Sequence, residues 1–270
     1  MTETITRDGV TFAYDSVGEG APPVLLIHGM ACNRTMWGPQ VEHFSRQHRV
    51  VAYDQRGHGD SSKPVDGDYS SWGLADDAAW LCGELGLDHP VVVGHSLGGG
   101  VATALAARHP DLPSAVVILD SGFEMPDDVR AQLRAFYDAL TPDVYDHVVR
   151  TFCRERLFDQ GDDPDLVASV TDDMASCPRE VFLAMGEGVL RFDQAAAATA
   201  VTAPTLFIAS SRPFVKVQRI HDARPDWYLG RTVGAGHFHH LLVPDQVNGM
   251  IDAFLAQVHG GFAAAQPSDY

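Results

Sequence analysis

Lysine is almost missing from this chain. Two of its 270 residues are Lys, against 17 Arg, and the 19 bases face 36 acids for a formal net charge of −17. A surface so poor in positive charge lacks the basic face that neutralises phosphates, which argues against nucleic acid or an anionic membrane as partner. A neutral or cationic small substrate suits the field better. Cysteine is scarce too: Cys32, Cys82, Cys153 and Cys177 form no CxxC pair. That spacing excludes a zinc knuckle and a disulfide-dense secreted scaffold, and predicts free thiols in a reducing, cytoplasmic compartment. No stretch approaches the roughly 18 uninterrupted apolar residues of a membrane span, and the N-terminus has neither the basic region nor the apolar core of a signal peptide. Repeats and heptads are missing as well. What remains is a chain 45% apolar and 20% charged, able to bury a sizeable core as one large α/β domain or two small ones.

Short apolar runs bounded by turn residues recur at 5–6, 10–14, 24–28, 50–53, 91–94, 115–119, 205–209 and 227–233. The first two flank Asp8-Gly9, a hairpin signal. The others alternate with helical patterns at 36–47, 71–85, 97–108 and 244–258, the order that builds βαβ units and a mainly parallel, eight-stranded α/β sheet flanked by helices. The alternation breaks after the sixth run. Residues 122–199 are expected to form a helical insert with helices over 126–140, 142–158, 164–176 and 178–191, each opened by a proline. Residues 1–121 and 200–258 then make the core, and 259–270 a frayed tail. Between Gly122 and Ala200 stand 16 acids and 7 bases, a charge expected on solvated helix faces. The apolar Phe136, Tyr137, Phe152, Phe158, Phe182, Met185 and Leu190 must face either the core or a ligand.

One motif carries chemistry. The run Val91-Val92-Val93 leads into Gly94-His95-Ser96-Leu97-Gly98-Gly99-Gly100 and then a good helix, so a GxSxG sits between a buried strand and a helix. In such a nucleophile elbow the serine occupies a sharp turn, and small residues two before and two after it let the backbone pass. Ser96 is the candidate nucleophile. Acyl transfer also needs donors for the developing oxyanion, ideally two backbone amides from different loops. Leu97 N–H and Met30 N–H, the latter from His28-Gly29-Met30-Ala31 after the third apolar run, are the candidates; His28 itself is expected to be structural. The base should come late, on a short loop after the last strand, and His237 in Gly234-Ala235-Gly236-His237 fits. His239 and His240 beside it invite a metal reading, but no acid or cysteine cluster accompanies them, and neither metal nor cofactor is expected.

These landmarks, with Asp54-Gln55-Arg56-Gly57-His58-Gly59, resemble the α/β-hydrolase family over nearly the whole chain, and in particular its esterase- and lactonase-like members with a helical cap. The resemblance implies the cap at 122–199 and structural roles for Asp54 and Arg56. It also implies a triad acid after the strand at 205–209, near Ser211, where this chain has none. The next carboxylates are Asp222 and Asp226. Asp120 ends the run Val116-Val117-Ile118-Leu119, at the carboxyl edge of the sheet where binding crevices form. Some lactone hydrolases and cofactor-free ring-cleaving dioxygenases of the family draw the acid from that position, so Asp120 is the candidate.

The expected activity is a serine hydrolase cleaving a small ester or lactone with an apolar portion. Phe123, Met125, Phe158, Phe182 and Met185 of the insert, with Trp37 and Phe238, suggest an apolar pocket. Three alternatives stay open on the same residues: a cofactor-free dioxygenase using the His–Asp pair, a C–C hydrolase or haloperoxidase-like enzyme, and a ligand receptor that does not turn over.

Overall fold

The computed structural model of the chain describes residues 2–260; of the tail expected at 259–270, His259 instead ends the last helix, and 261–270 lie outside the described residues. Eight strands form one sheet: β1 (Glu3–Arg7), β2 (Val10–Val17), β3 (Val24–Ile27), β4 (Val50–Tyr53), β5 (Val91–His95), β6 (Ala115–Leu119), β7 (Thr205–Ala209) and β8 (Tyr228–Arg231). Their order is β1-β2-β4-β3-β5-β6-β7-β8. β1 and β2 make the antiparallel hairpin expected at Asp8-Gly9, where both residues have positive φ (49° and 81°). β2 runs antiparallel to β4, and every later pairing is parallel.

The helices are α1 (Gly38–Phe44), α2 (Ser71–Glu84), α3 (Leu97–Arg108), α4 (Asp127–Asp138), α5 (Tyr145–Phe152), α6 (Pro164–Ala175), α7 (Arg179–Arg191), α8 (Gln194–Ala198), α9 (Val217–Ala223), α10 (His239–Leu242) and α11 (Pro244–His259). The unbroken apolar runs of β3 to β6 are explained by cover on both faces. Side chains alternate between them: Leu25 and Ile27 join Leu74 of α2 and Val101 of α3 in one apolar cluster, while Val24 and Leu26 join Phe44 of α1 and Phe254 of α11 in the other. Trp37 belongs to the second cluster, where it is fully buried and packs on His240 at 4.8 Å. It therefore does not line a pocket under the insert; a 3₁₀ turn at Arg34–Trp37 carries it to the opposite face of the sheet.

Between β6 and β7 lie α4 to α8 and, among the described residues, no strand. The prolines act less uniformly than expected. Pro164 opens α6 as its first residue, whereas Pro126 and Pro178 stand one residue ahead of α4 and α7 as caps. The segment expected over 142–158 begins its helix only at Tyr145 and finishes in a π-helical turn at Cys153–Leu157. The apolar side chains of this insert face the core: Phe158, Phe182 and Met185 belong to the same cluster as α2 and α3. No helix among the described residues is long and apolar enough to cross a membrane.

Candidate active site

Ser96 joins β5 to α3 with φ 53° and ψ −119°, a conformation L-residues rarely adopt and one found where surrounding structure enforces it. Two glycines make the turn possible. A Cβ at Gly94 would lie 2.1 Å from the carbonyl oxygen of Gly98, and one at Gly98 would lie 2.1 Å from that of Ile27. The Ser96 amide donates to Leu119 O at 2.9 Å, and the Ser96 carbonyl accepts from the amides of Gly99 and Gly100. Leu97 N–H, next in the chain, donates to no protein group among the described residues, and neither does Met30 N–H.

Met30 lies in the loop after β3, beside the elbow: a Cβ on Gly29 would stand 3.2 Å from Ser96 Cβ. His28 shapes this loop. Its Nε2 accepts from Gln55 N–H at 3.1 Å, so Nδ1 carries the proton and donates to Gly29 O at 2.8 Å. Burial pushes its pKa down to about 4, and the ring is a neutral strut, as expected of a structural residue. Asp54 and Arg56 also brace loops. Asp54 accepts from the Arg34 amide at 2.7 Å and pairs with the Arg34 guanidinium, and Arg56 forks onto Asp77 of α2 at 2.5 and 2.6 Å.

His237 follows β8 through Gly234 (φ 76°), Ala235 and Gly236. Its Nδ1 lies 2.8 Å from Oδ2 of Asp120, and both side chains are buried, at 6% and 1% exposure. The other carboxylate oxygen of Asp120 accepts from Ser210 N–H at 3.1 Å. Burial alone would raise the Asp120 pKa, but the hydrogen bond and charge of His237 and the Ser210 amide outweigh it and hold the carboxyl below its ordinary value. Asp120 also has positive φ (42°), and it sits one residue beyond the point where His95 of β5 pairs with Leu119 of β6. Ser96 and Asp120 thus leave adjacent parallel strands at the same level.

The other candidate carboxylates are engaged elsewhere. Asp222 accepts from Gln218 at 2.8 Å on the exposed face of α9, and Asp226 pairs with Arg224. At the place near Ser211 where the family resemblance implied an acid, the Ser211 hydroxyl donates to Ala235 O at 2.6 Å and meets Asp159 of the insert at 3.2 Å. His239 and His240 are core residues. The first contacts Thr232 Oγ1 at 3.0 Å, the second packs between Trp37 and His95, and burial lowers the pKa of both, that of His239 to about 4.

Three features escape sequence reasoning. The His237 amide donates to Leu157 O at 2.9 Å, and Phe158 stacks on Phe238 at 5.1 Å, so the π-helical turn after α5 grips the histidine loop. Phe214 stands edge-on to the His237 ring at 4.8 Å yet is 54% exposed. Tyr137 directs its hydroxyl at Met30 Sδ, 4.0 Å away. Each contact joins residues far apart in the chain, and no local spacing announces it.

A strand, a strained serine and a helix on an eight-stranded, mostly parallel sheet define a hydrolase scaffold, and the chain belongs to the α/β-hydrolase fold family, whose profile matches residues 22–164. Relatives matched over most of their length are also hydrolases by name. A protein of Caulobacter vibrioides, provisionally named as the carbamate hydrolase RutD, is 29% identical over 248 residues, covering 87% of this chain and 91% of its own. The 3-oxoadipate enol-lactonase 2 of Acinetobacter baylyi is 27% identical over 214 residues, 78% of this chain and 79% of its own. A thermophilic esterase of Thermogutta terrifontis superposes with a TM-score of 0.84 at 26% identity, covering 96% of this chain and 99% of that one.

Proposed function

We propose that this hydrolase cleaves a small carboxylic ester or lactone with an apolar portion, through a covalent acyl-enzyme on Ser96. The observation that carries the reading is the 2.8 Å contact between His237 Nδ1 and the buried Asp120 carboxylate. An ionised Asp120 accepts the Nδ1 proton and leaves Nε2 as the basic nitrogen. His237 then takes the Ser96 hydroxyl proton as the oxygen attacks the substrate carbonyl. The unpartnered amides of Met30 and Leu97 stabilise the tetrahedral oxyanion. His237 returns the proton to the departing alkoxide, and water repeats the sequence to release the acid. No step requires a metal or cofactor.

The half-exposed Phe214 borders the leaving-group side, because that group departs toward His237. Residues 122–199 act as a cap over the site. Four free, buried cysteines suit a reducing, cytoplasmic setting. The names of the relatives, an esterase and an enol-lactonase, support the ester or lactone class. A second reading uses the same His–Asp pair to deprotonate a hydroxy-heteroaromatic in a cofactor-free dioxygenase, and the observation that favours it is the position of Asp120 immediately after β6. Mixing the protein with a p-nitrophenyl ester separates the two: a burst of nitrophenol and an acyl mass on Ser96 are expected. Loss of both in Ser96→Ala supports the proposal, and turnover that survives it removes the covalent mechanism.

A further inference from the structure

We infer that Tyr137 determines acyl specificity, its hydroxyl donating a hydrogen bond to a neutral acceptor oxygen on the acyl group of the substrate. The inference rests on the serine-hydrolase reading above and deepens it.

The ring of Tyr137 is held from several sides. A Cβ on Gly186 of α7 would lie 2.6 Å from its ring carbons, so the missing side chain there makes a slot for it. Phe136 and Phe182 stand edge-on at 5.5 and 6.2 Å. In contrast to the ring, the hydroxyl has little to hold. Its one protein partner among the described residues is the Met30 thioether, a weak acceptor. The other tyrosines that pack around the insert are satisfied: Tyr69 donates to Pro64 O at 2.8 Å and Tyr145 to Cys177 O at 2.7 Å. Tyr137 is half-buried, and a fixed hydroxyl left with only a weak acceptor gains a stronger bond when a ligand supplies one.

Its place in the site names the part of the substrate it meets. Gly29 lies beside Ser96, close enough that a Cβ on it would stand 3.2 Å from the serine Cβ; Met30 follows it, and the Tyr137 hydroxyl lies 4.0 Å from the Met30 thioether. Tyr137 therefore reaches the site by way of the oxyanion loop, the side left to the acyl group once the leaving group points at His237. Burial pushes the phenol up to about 12, so it stays protonated at working pH and serves as donor. The chain's net charge of −17 disfavours an anionic partner. A keto, ether or amide oxygen a few bonds from the scissile carbonyl meets these conditions.

Pairs of p-nitrophenyl esters of equal chain length test the assignment: 4-oxopentanoate against pentanoate, and methoxyacetate against butyrate. The wild type is expected to prefer at least one oxygen-bearing member in kcat/KM. Tyr137→Phe, which keeps the ring in its slot, should lose that preference by about tenfold while leaving the hydrocarbon esters within about twofold. Gly186→Ala, which displaces the ring, should reduce the same preference. Equal losses on both members of each pair, or a wild type indifferent to the oxygen, overturns the inference. A wild type with no ester turnover would instead refute the serine-hydrolase reading. The inference is then read from calorimetric binding of the free acids, where Tyr137→Phe must erase a wild-type preference for 4-oxopentanoate over pentanoate, and an unchanged ratio overturns it.

Discussion

The backbone N–H of His237 donates to the carbonyl oxygen of Leu157 at 2.9 Å, so the histidine loop hangs from the helical insert as well as from its own strand. The same three-residue stretch makes further ties: Arg212 donates to Phe158 O at 2.8 Å and pairs with Asp159 at 2.5 Å. One short stretch of the insert is therefore bonded both to the His237 loop and to the segment after β7.

That coupling is open to test at Gly236. A Cβ there would lie 2.8 Å from Leu157 O, against backbone that cannot swing aside. Gly236→Ala is expected to push the loop off the insert and lower kcat by on the order of tenfold or more, since small displacements of catalytic groups are expensive. Steady-state kinetics with a matched thermal melt reads the effect. A folded variant with unchanged kcat would show that the grip is incidental.

Asp120→Asn keeps the shape of the carboxylate but replaces its charged acceptor. By analogy with triads in general, kcat should fall by roughly 10⁴. Near-normal rates would mean that His237 is oriented by something other than the carboxylate it touches.

Acid stability should track buried imidazoles. Burial lowers the pKa of His28 to about 4, of His58 to about 3 and of His239 to about 4, and holds those of His95 and His240 well below the ordinary value. The unfolded chain binds protons at these rings near pH 6.5 and the folded chain does not, so their contribution is fully present above about 6.5 and is lost as the pH falls toward about 4. Each ring adds a slope on the order of 1.4 kcal/mol per pH unit inside that window. Asp120, whose carboxyl is held low in the fold, adds its own loss only under more acidic conditions, as the pH falls from its ordinary value through its folded one. Urea unfolding between pH 7 and 5 should give steeply falling stability, and His58→Gln should flatten the curve. A flat wild-type profile would contradict the protonation states assigned here.

How much of this was legible beforehand depends on whether the cause is local. The elbow is local: Gly94, Ser96 and Gly98 specify one turn, and α3 runs over Leu97–Arg108 as its pattern predicts. The end of β6 is local too, and Asp120 meets His237. The insert's grip on His237 is not, because Leu157 and His237 are brought together only by the packing of the whole insert. Trp37 fails for the same reason; its apolarity was plain, but which face of the sheet it joins is decided by a 3₁₀ turn that carries little sequence signal. The short helices α8, α9 and α10 span too few turns for a hydrophobic period to emerge.

Ser96 and Asp120 each step off the sheet one residue past the paired positions His95 and Leu119. Their spacing is thus inherited from a single rung of the β-ladder, about 4.8 Å wide, rather than from the folding of a distant loop. The segment after β7 carries no carboxylate of its own but still meets the pair, through the Ser210 amide on Asp120.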